Sequence, residues 1–152
     1  MKKIYFTKCQ KETISLGKEI AEKLIKKKKR KKALILALIG DLGGGKTTFL
    51  KGFAKGIGIK EKILSPTFIL IRKFEIQNQV LNFKYFYHID CYRIEKPKEI
   101  LALNFKNIID YPKNIVAIEW ADKIREILPK KIFFLKFEVL GKTKRKIAFY
   151  SK

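Results

Sequence analysis

Cysteine is scarce in this chain, and so is negative charge. The two cysteines, Cys9 and Cys91, stand far apart and in no metal-ligand spacing. They read as free, reduced thiols of a cytosolic protein rather than as a disulfide framework or a zinc site. Long apolar runs are missing too. The longest, Ala33 to Ile39, is far too short to span a bilayer. The N-terminal MKKIYFTKCQKE starts basic but has no apolar core behind it, so it does not read as a signal peptide. No repeat, linker or second domain is visible, and residues 1–152 read as one domain. The expectation is a soluble, cytoplasmic protein with no membrane contact.

Acidic residues number 14 against 36 lysines and arginines, a formal net charge of +22. A field of that size draws polyanions such as RNA, and anionic membranes more weakly. The excess is mostly lysine spread along the whole chain, beside much Ile, Phe and Asn, which equally fits a biased genome composition. The densest run, Lys26 to Lys32, follows an amphipathic segment at 12–25. There Leu16, Ile20, Ala21, Leu24 and Ile25 recur at helical spacing, and Thr13 or Ser15 is the candidate cap. Cations suit the C-terminal end of such a helix.

Apolar residues make up 47% of the chain, enough for a core. ALILALI (33–39) is short and apolar on both faces, as a buried strand is. Residues 47–58 read as a helix closed by Gly56 and Gly58. Residues 65–76, 83–94 and 114–120 read as strands, and 96–110 as a helix. Residues 131–140 and 144–151 read as two final strands joined at Gly141. Alternating strands and helices predict an α/β fold, a three-layer sandwich with a mixed, mostly parallel central sheet.

Gly40-Asp41-Leu42-Gly43-Gly44-Gly45-Lys46-Thr47 matches GxxxxGK[ST] without mismatch, between a buried strand and a helix. The glycines let backbone N–H groups turn around phosphate oxygens, and the outgoing helix points its positive end at the same place. Lys46 supplies a cation for the β- and γ-phosphates, and the Thr47 hydroxyl suits Mg²⁺. Thr48 continues the ATP-binding set. A dinucleotide fingerprint would need glycine at position 48. The fold is therefore expected to be P-loop NTPase-like, with ATP as substrate.

Such a site also needs a carboxylate for the metal. Glu119 follows four apolar residues, the pattern of a buried strand delivering one charge at its mouth, and Trp120 next to it could pack near the nucleotide. Asp90 is the second candidate, as a group supporting the metal or positioning water. In an extended strand it shares a face with His88 and Tyr92. His88, the only histidine, reads as structural. Ser65 to Phe68 reads either as a γ-phosphate-sensing switch or as a plain turn.

Taken together these pieces resemble one family. GDLGGGKTTF is similar to the GDLGAGKTTF of the bacterial TsaE (YjeE) group, with Gly44 for the usual alanine. SPTF (65–68), the H-x-D-x-YR of His88 to Arg93, and Glu119-Trp120 follow in the family's order. The resemblance covers nearly the whole chain. It implies a slow Mg²⁺-dependent ATPase that works with TsaB and TsaD in placing threonylcarbamoyl on the adenosine next to the anticodon of tRNAs reading A-starting codons. It implies that Thr47 and Glu119 ligate Mg²⁺ and that Lys46, Asp90 and Glu119 carry catalysis. It also brings Gln10 to Thr13 and Lys142 to Arg145 toward the nucleotide. Two other functions compete. A small-molecule or nucleoside kinase would show an arginine-rich lid, which is not evident. An RNA-binding module driven by charge would leave the glycine loop without a purpose.

Overall fold

The computed structural model describes residues 2–26, 29–64, 69–77 and 82–152. The chain runs β1 (Lys2–Thr7), α1 (Gln10–Ile25), β2 (Leu34–Ile39), α2 (Lys46–Gly56), β3 (Ile71–Glu75), β4 (Tyr85–Asp90), α3 (Lys98–Leu101), α4 (Phe105–Asp110) and β5 (Asn114–Glu119). A 3₁₀ segment (Ala121–Ile127), β6 (Phe133–Val139) and β7 (Arg145–Ser151) complete it. Seven strands form one sheet in the order β1-β7-β6-β2-β5-β4-β3. The central β6, β2, β5 and β4 are parallel neighbours, whereas β7 and β3 run antiparallel beside them. β1 pairs antiparallel with β7 and so runs with the central four. The mixed, mostly parallel sheet expected from the sequence is present.

The central strands are apolar on both faces because both faces are covered. Leu34, Leu36 and Leu38 of β2 and Ile115 and Ala117 of β5 pack under α1 and α2. The alternate residues Ile35, Ala37, Val116 and Ile118 join Ile100, Phe105 and Ile124 of α3, α4 and the 3₁₀ segment on the other side. α1 and α2 meet backbone to backbone. A Cβ built on Gly52 would stand 1.8 Å from the Ile14 carbonyl oxygen, and one on Gly17 would stand 2.1 Å from that of Phe49.

Several boundaries differ from the sequence expectation. α1 begins two residues early, after Cys9, with no side-chain cap. Thr13 and Ser15 therefore lie inside the helix. The Thr13 hydroxyl faces inward and shares a hydrogen bond of 2.8 Å with Thr7. β4 is six residues long, because the chain turns back where the Ile94 N–H donates to the Cys91 carbonyl. The expected helix at 96–110 is two short helices separated at Asn104, whose φ of 62° no helix accommodates. Residues 65–68, including the SPTF segment, lie outside the described residues, as do residues 27 and 28 of the basic run. β1 and the 3₁₀ segment were not expected. β1 is an edge strand of KKIYFT, half lysine and threonine, without the apolar density that marks the central strands.

Candidate functional site

The glycine loop leaves the C-terminal end of β2 and turns straight into α2. Gly43 (φ 75°) and Gly45 (φ 97°) hold left-handed backbone that a side chain would strain. Gly45 is the N-cap of α2 and offers no side-chain acceptor, so the helix opens with uncapped N–H groups. The opening faces a cleft of about 520 Å³. Leu42, Gly43, Gly44, Gly45, Lys46, Thr47 and Thr48 all line it. Gly40 and Asp41 do not. Instead their carbonyls accept hydrogen bonds of 2.6 and 2.9 Å from the Lys46 ammonium. Lys46 is almost wholly buried, with its Nζ 4.2 Å from the centre of the Trp120 ring. Burial lowers its pKa from the ordinary lysine value, while Glu119, Asp90, Asp122 and Asp41 pull it back up.

Two carboxylates stand across the cleft from the loop. β4 and β5 pair so that Asp90 lies directly beside Glu119, and His88 beside Ala117. Asp90, His88 and Glu119 all belong to the sheet face that α2 covers. Glu119 is 3% exposed and accepts a hydrogen bond from the Thr47 hydroxyl at 2.8 and 3.0 Å to its two oxygens. His88 Nε2 lies 2.8 Å from Glu119 Oε1 and the ring is fully buried. A carboxylate only accepts, so the shared proton sits on Nε2. Nδ1 is buried with no hydrogen-bond partner. A carboxylate this deep is tolerable because it is hydrogen-bonded from two sides. Asp90 Oδ1 accepts the Tyr92 backbone N–H at 2.9 Å. Tyr92 itself lies past the end of β4, so it does not continue the face of His88 and Asp90. Its ring packs instead against Trp120, centroids 5.1 Å apart.

Gln10, Thr13, Asp90, Glu119, Trp120, Lys142 and Arg145 all border the cleft. Arg145 ties the β6–β7 hairpin to the loop. It donates to the Gly43 carbonyl at 2.9 Å, and to those of Gly141 and Lys144 at 3.0 and 2.9 Å. Trp120 holds a left-handed φ of 56°, which turns the chain sharply after Glu119. Burial, with Asp90 adding to it, pushes the Cys91 thiol up to about 12. Among the described residues no group of three or more His, Cys, Asp and Glu side chains forms a metal cage. The oxygens of Thr47 and Glu119 suit a hard cation that completes its shell with phosphate oxygens and water. His88 is the residue to which sequence reasoning gave no function. Its two-residue spacing from Asp90 was visible, but its bond to Glu119 appears only once β4 is paired with β5.

The family model described as "Threonylcarbamoyl adenosine biosynthesis protein TsaE" matches residues 7–147. The chain belongs to the TsaE family. Three TsaE relatives are each named tRNA threonylcarbamoyladenosine biosynthesis protein. That of Haemophilus influenzae is 39% identical over 119 residues, 77% of this chain and 70% of the relative. That of Bacillus subtilis is 40% identical over 115 residues, 76% and 68% of the two chains. That of Rickettsia felis is 34% identical over 137 residues, 90% and 72%. The crystal structure of YdiB from Bacillus subtilis superposes with a TM-score of 0.72 at 29% identity, covering 99% of this chain and 86% of YdiB. The TsaE family model spans all the described elements that build the cleft, from Thr7 through Arg145.

Proposed function

We propose that this TsaE family member is a Mg²⁺-dependent ATPase acting in tRNA threonylcarbamoyladenosine biosynthesis. It acts in the cytoplasm as a single ATPase domain beside homologues of TsaB and TsaD. The observation that carries the ATPase assignment is the Thr47–Glu119 pair. The hydroxyl that closes the glycine loop is bonded to the carboxylate at the mouth of β5. A phosphate-binding loop and a metal carboxylate are thereby brought within one hydrogen bond of each other, although 72 residues apart in sequence. No helix among the described residues is long and apolar enough to cross a membrane.

The roles follow from chemistry. The turned N–H groups of Gly43 to Thr47 receive the phosphates of ATP. The Lys46 ammonium leaves the carbonyls of Gly40 and Asp41 and neutralises charge on the transferred phosphoryl group. Thr47 and Glu119 hold Mg²⁺, and Asp90 orders the water beside them. When bound, Mg²⁺ offsets charge on the phosphate oxygens. Gln10 and Thr13 border the cleft from α1, and Trp120 stands over the Lys46 ammonium. Arg145 braces the loop through three carbonyls, and turnover by the isolated chain is expected to be slow.

The test is a reconstitution. A threonylcarbamoyladenylate synthase, the TsaB–TsaD pair, unmodified tRNA and ATP are combined with this chain or with its Lys46→Ala variant. Nucleoside mass spectrometry then counts threonylcarbamoyladenosine over many turnovers. Product should rise only with the intact chain. Equal product with Lys46→Ala would refute the ATPase role, and transfer of phosphate to a nucleoside would establish a kinase instead.

A further inference from the structure

The four parallel strands are all approached, at the end of the sheet away from the cleft, over a lysine. Lys32, Lys84, Lys113 and Lys131 come one or two residues before β2, β4, β5 and β6. At the same end β1 starts at Lys2, and β7 is followed by Lys152. In sheet order these form a row, Lys2, Lys152, Lys131, Lys32, Lys113 and Lys84, and every one is exposed. Neighbouring strands are about 4.8 Å apart, so five steps make a row roughly 24 Å long. Lys31 and Lys130 thicken its middle. Arg30 is anchored beside them, its guanidinium 5.9 Å from the centre of the Phe133 ring. Acid is sparse here. Asp110 pairs with Lys32 at 2.9 Å, Glu126 lines the same shallow pocket, and Glu75 ends β3. At the opposite end Asp41, Asp90, Glu119 and Asp122 gather around the cleft. Lys46, Arg93, Lys142 and Arg145 line that cleft as well, so the far end is distinguished by its row of lysines and not by the sign of its charge alone.

We infer that this row is a docking surface for the sugar–phosphate backbone of RNA. A linear array of exposed ammonium groups matches a polyanion of regularly spaced charges and carries no base-reading geometry. A membrane surface fits less well. Interfacial anchoring needs apolar side chains set among the cations. Among the described residues, the large exposed apolar side chains near the row are Ile4 on β1, Tyr111 between α4 and β5, and Leu101 of α3 beside Lys32, each on a separate element. Choosing tRNA as the RNA rests on the proposed role in tRNA modification; the surface itself does not.

The experiment measures binding of the full chain to a labelled, unmodified tRNA by fluorescence anisotropy across a salt series. The assay contains no ATP, TsaB or TsaD, so it can fail while the ATPase assignment stands, and the reverse. Three proteins are compared: the natural chain, a row variant carrying Lys84→Gln, Lys113→Gln and Lys131→Gln, and a control carrying Lys8→Gln, Lys123→Gln and Lys144→Gln at the cleft end. Each phosphate contact contributes about 0.7 to 0.9 to the slope of log affinity against log salt. The row variant should therefore lose about 2 to 3 units of slope, and the control less than 1. Equal losses in the two variants, or no binding by the natural chain, would overturn the inference. So would loss of binding to phosphatidylserine vesicles in the row variant with the RNA slope unchanged. Retained ATP binding by the row variant shows that it is folded. If it is not, Lys113→Gln alone replaces it, with an expected loss of about 1 unit.

Discussion

Gly52→Ala sets two effects of opposite sign against each other. In an exposed helix, replacing glycine with alanine stabilises by about 1 kcal/mol. At Gly52 the new Cβ would stand 1.8 Å from the Ile14 carbonyl oxygen, where ordinary contact begins at 3.4 Å. α1 and α2 would have to part by about 1.6 Å, and sliding gives no relief, because the helices are in backbone contact at Gly17 too, where a Cβ would stand 2.1 Å from the Phe49 carbonyl oxygen. Overpacking of this kind costs about 1–3 kcal/mol, and backbone, unlike a side chain, has no rotamer to change, which puts the cost at the upper end. The net loss is about 1–2 kcal/mol, or about 2–8 °C in Tm for a chain of this length. α2 also carries Thr47 in its first turn, so the same displacement stretches the 2.8 Å bond to Glu119 and should weaken nucleotide binding. Differential scanning calorimetry with and without ATP and Mg²⁺ reads both effects. A Tm above that of the natural chain would show that propensity wins and that the helices do not touch as described.

The His88–Glu119 bond predicts a specific pattern. His88→Phe removes one of the two donors to Glu119 and sets a larger ring in a buried site, at a cost of about 1–3 kcal/mol. The Mg²⁺ concentration needed for nucleotide binding should shift, and His88→Gln, which restores an N–H, should recover much of it; equal behaviour of the two variants in calorimetric titration would show that the bond does not position Glu119. Cys9 is half-exposed and Cys91 buried, so iodoacetamide should alkylate Cys9 alone in the folded chain and both thiols in urea, as intact-mass spectrometry will report. Because the Cys91 thiol is raised from 9.0 to about 12, the unfolded state loses this proton first as pH climbs. Stability should be unaffected below pH 9.0 and fall above it by at most about 1.4 kcal/mol per unit. Cys91→Ala should lack that component of the alkaline decline.

The centre of the molecule was legible and its edges were not. LILALI and NIVAIE announce strands covered on both faces, and the glycine loop between one of them and a helix names the phosphate end of the sheet. Glu119 was legible as a charge closing an apolar strand. The failures share one cause, that tertiary pairing overrides local pattern. β1 exists because β7 offers an edge, not because KKIYFT is apolar. Asn104 breaks a helix whose composition would have let it continue. Tyr92 looked like a member of the His88–Asp90 face until the chain turned at Cys91. The partnership of His88 with Glu119 depends on two strands 31 residues apart being neighbours, which no local spacing states.

The chain has one tryptophan, and it rests on the Lys46 ammonium, the group that the proposed mechanism hands to a phosphate. When Lys46 departs, the indole loses a positive charge 4.2 Å from its ring, and both the energy and the yield of its emission depend on that charge. The protein therefore carries its own optical probe at the place where occupancy matters. Nothing need be attached to follow filling of the cleft in real time, and there is no second indole to dilute the signal.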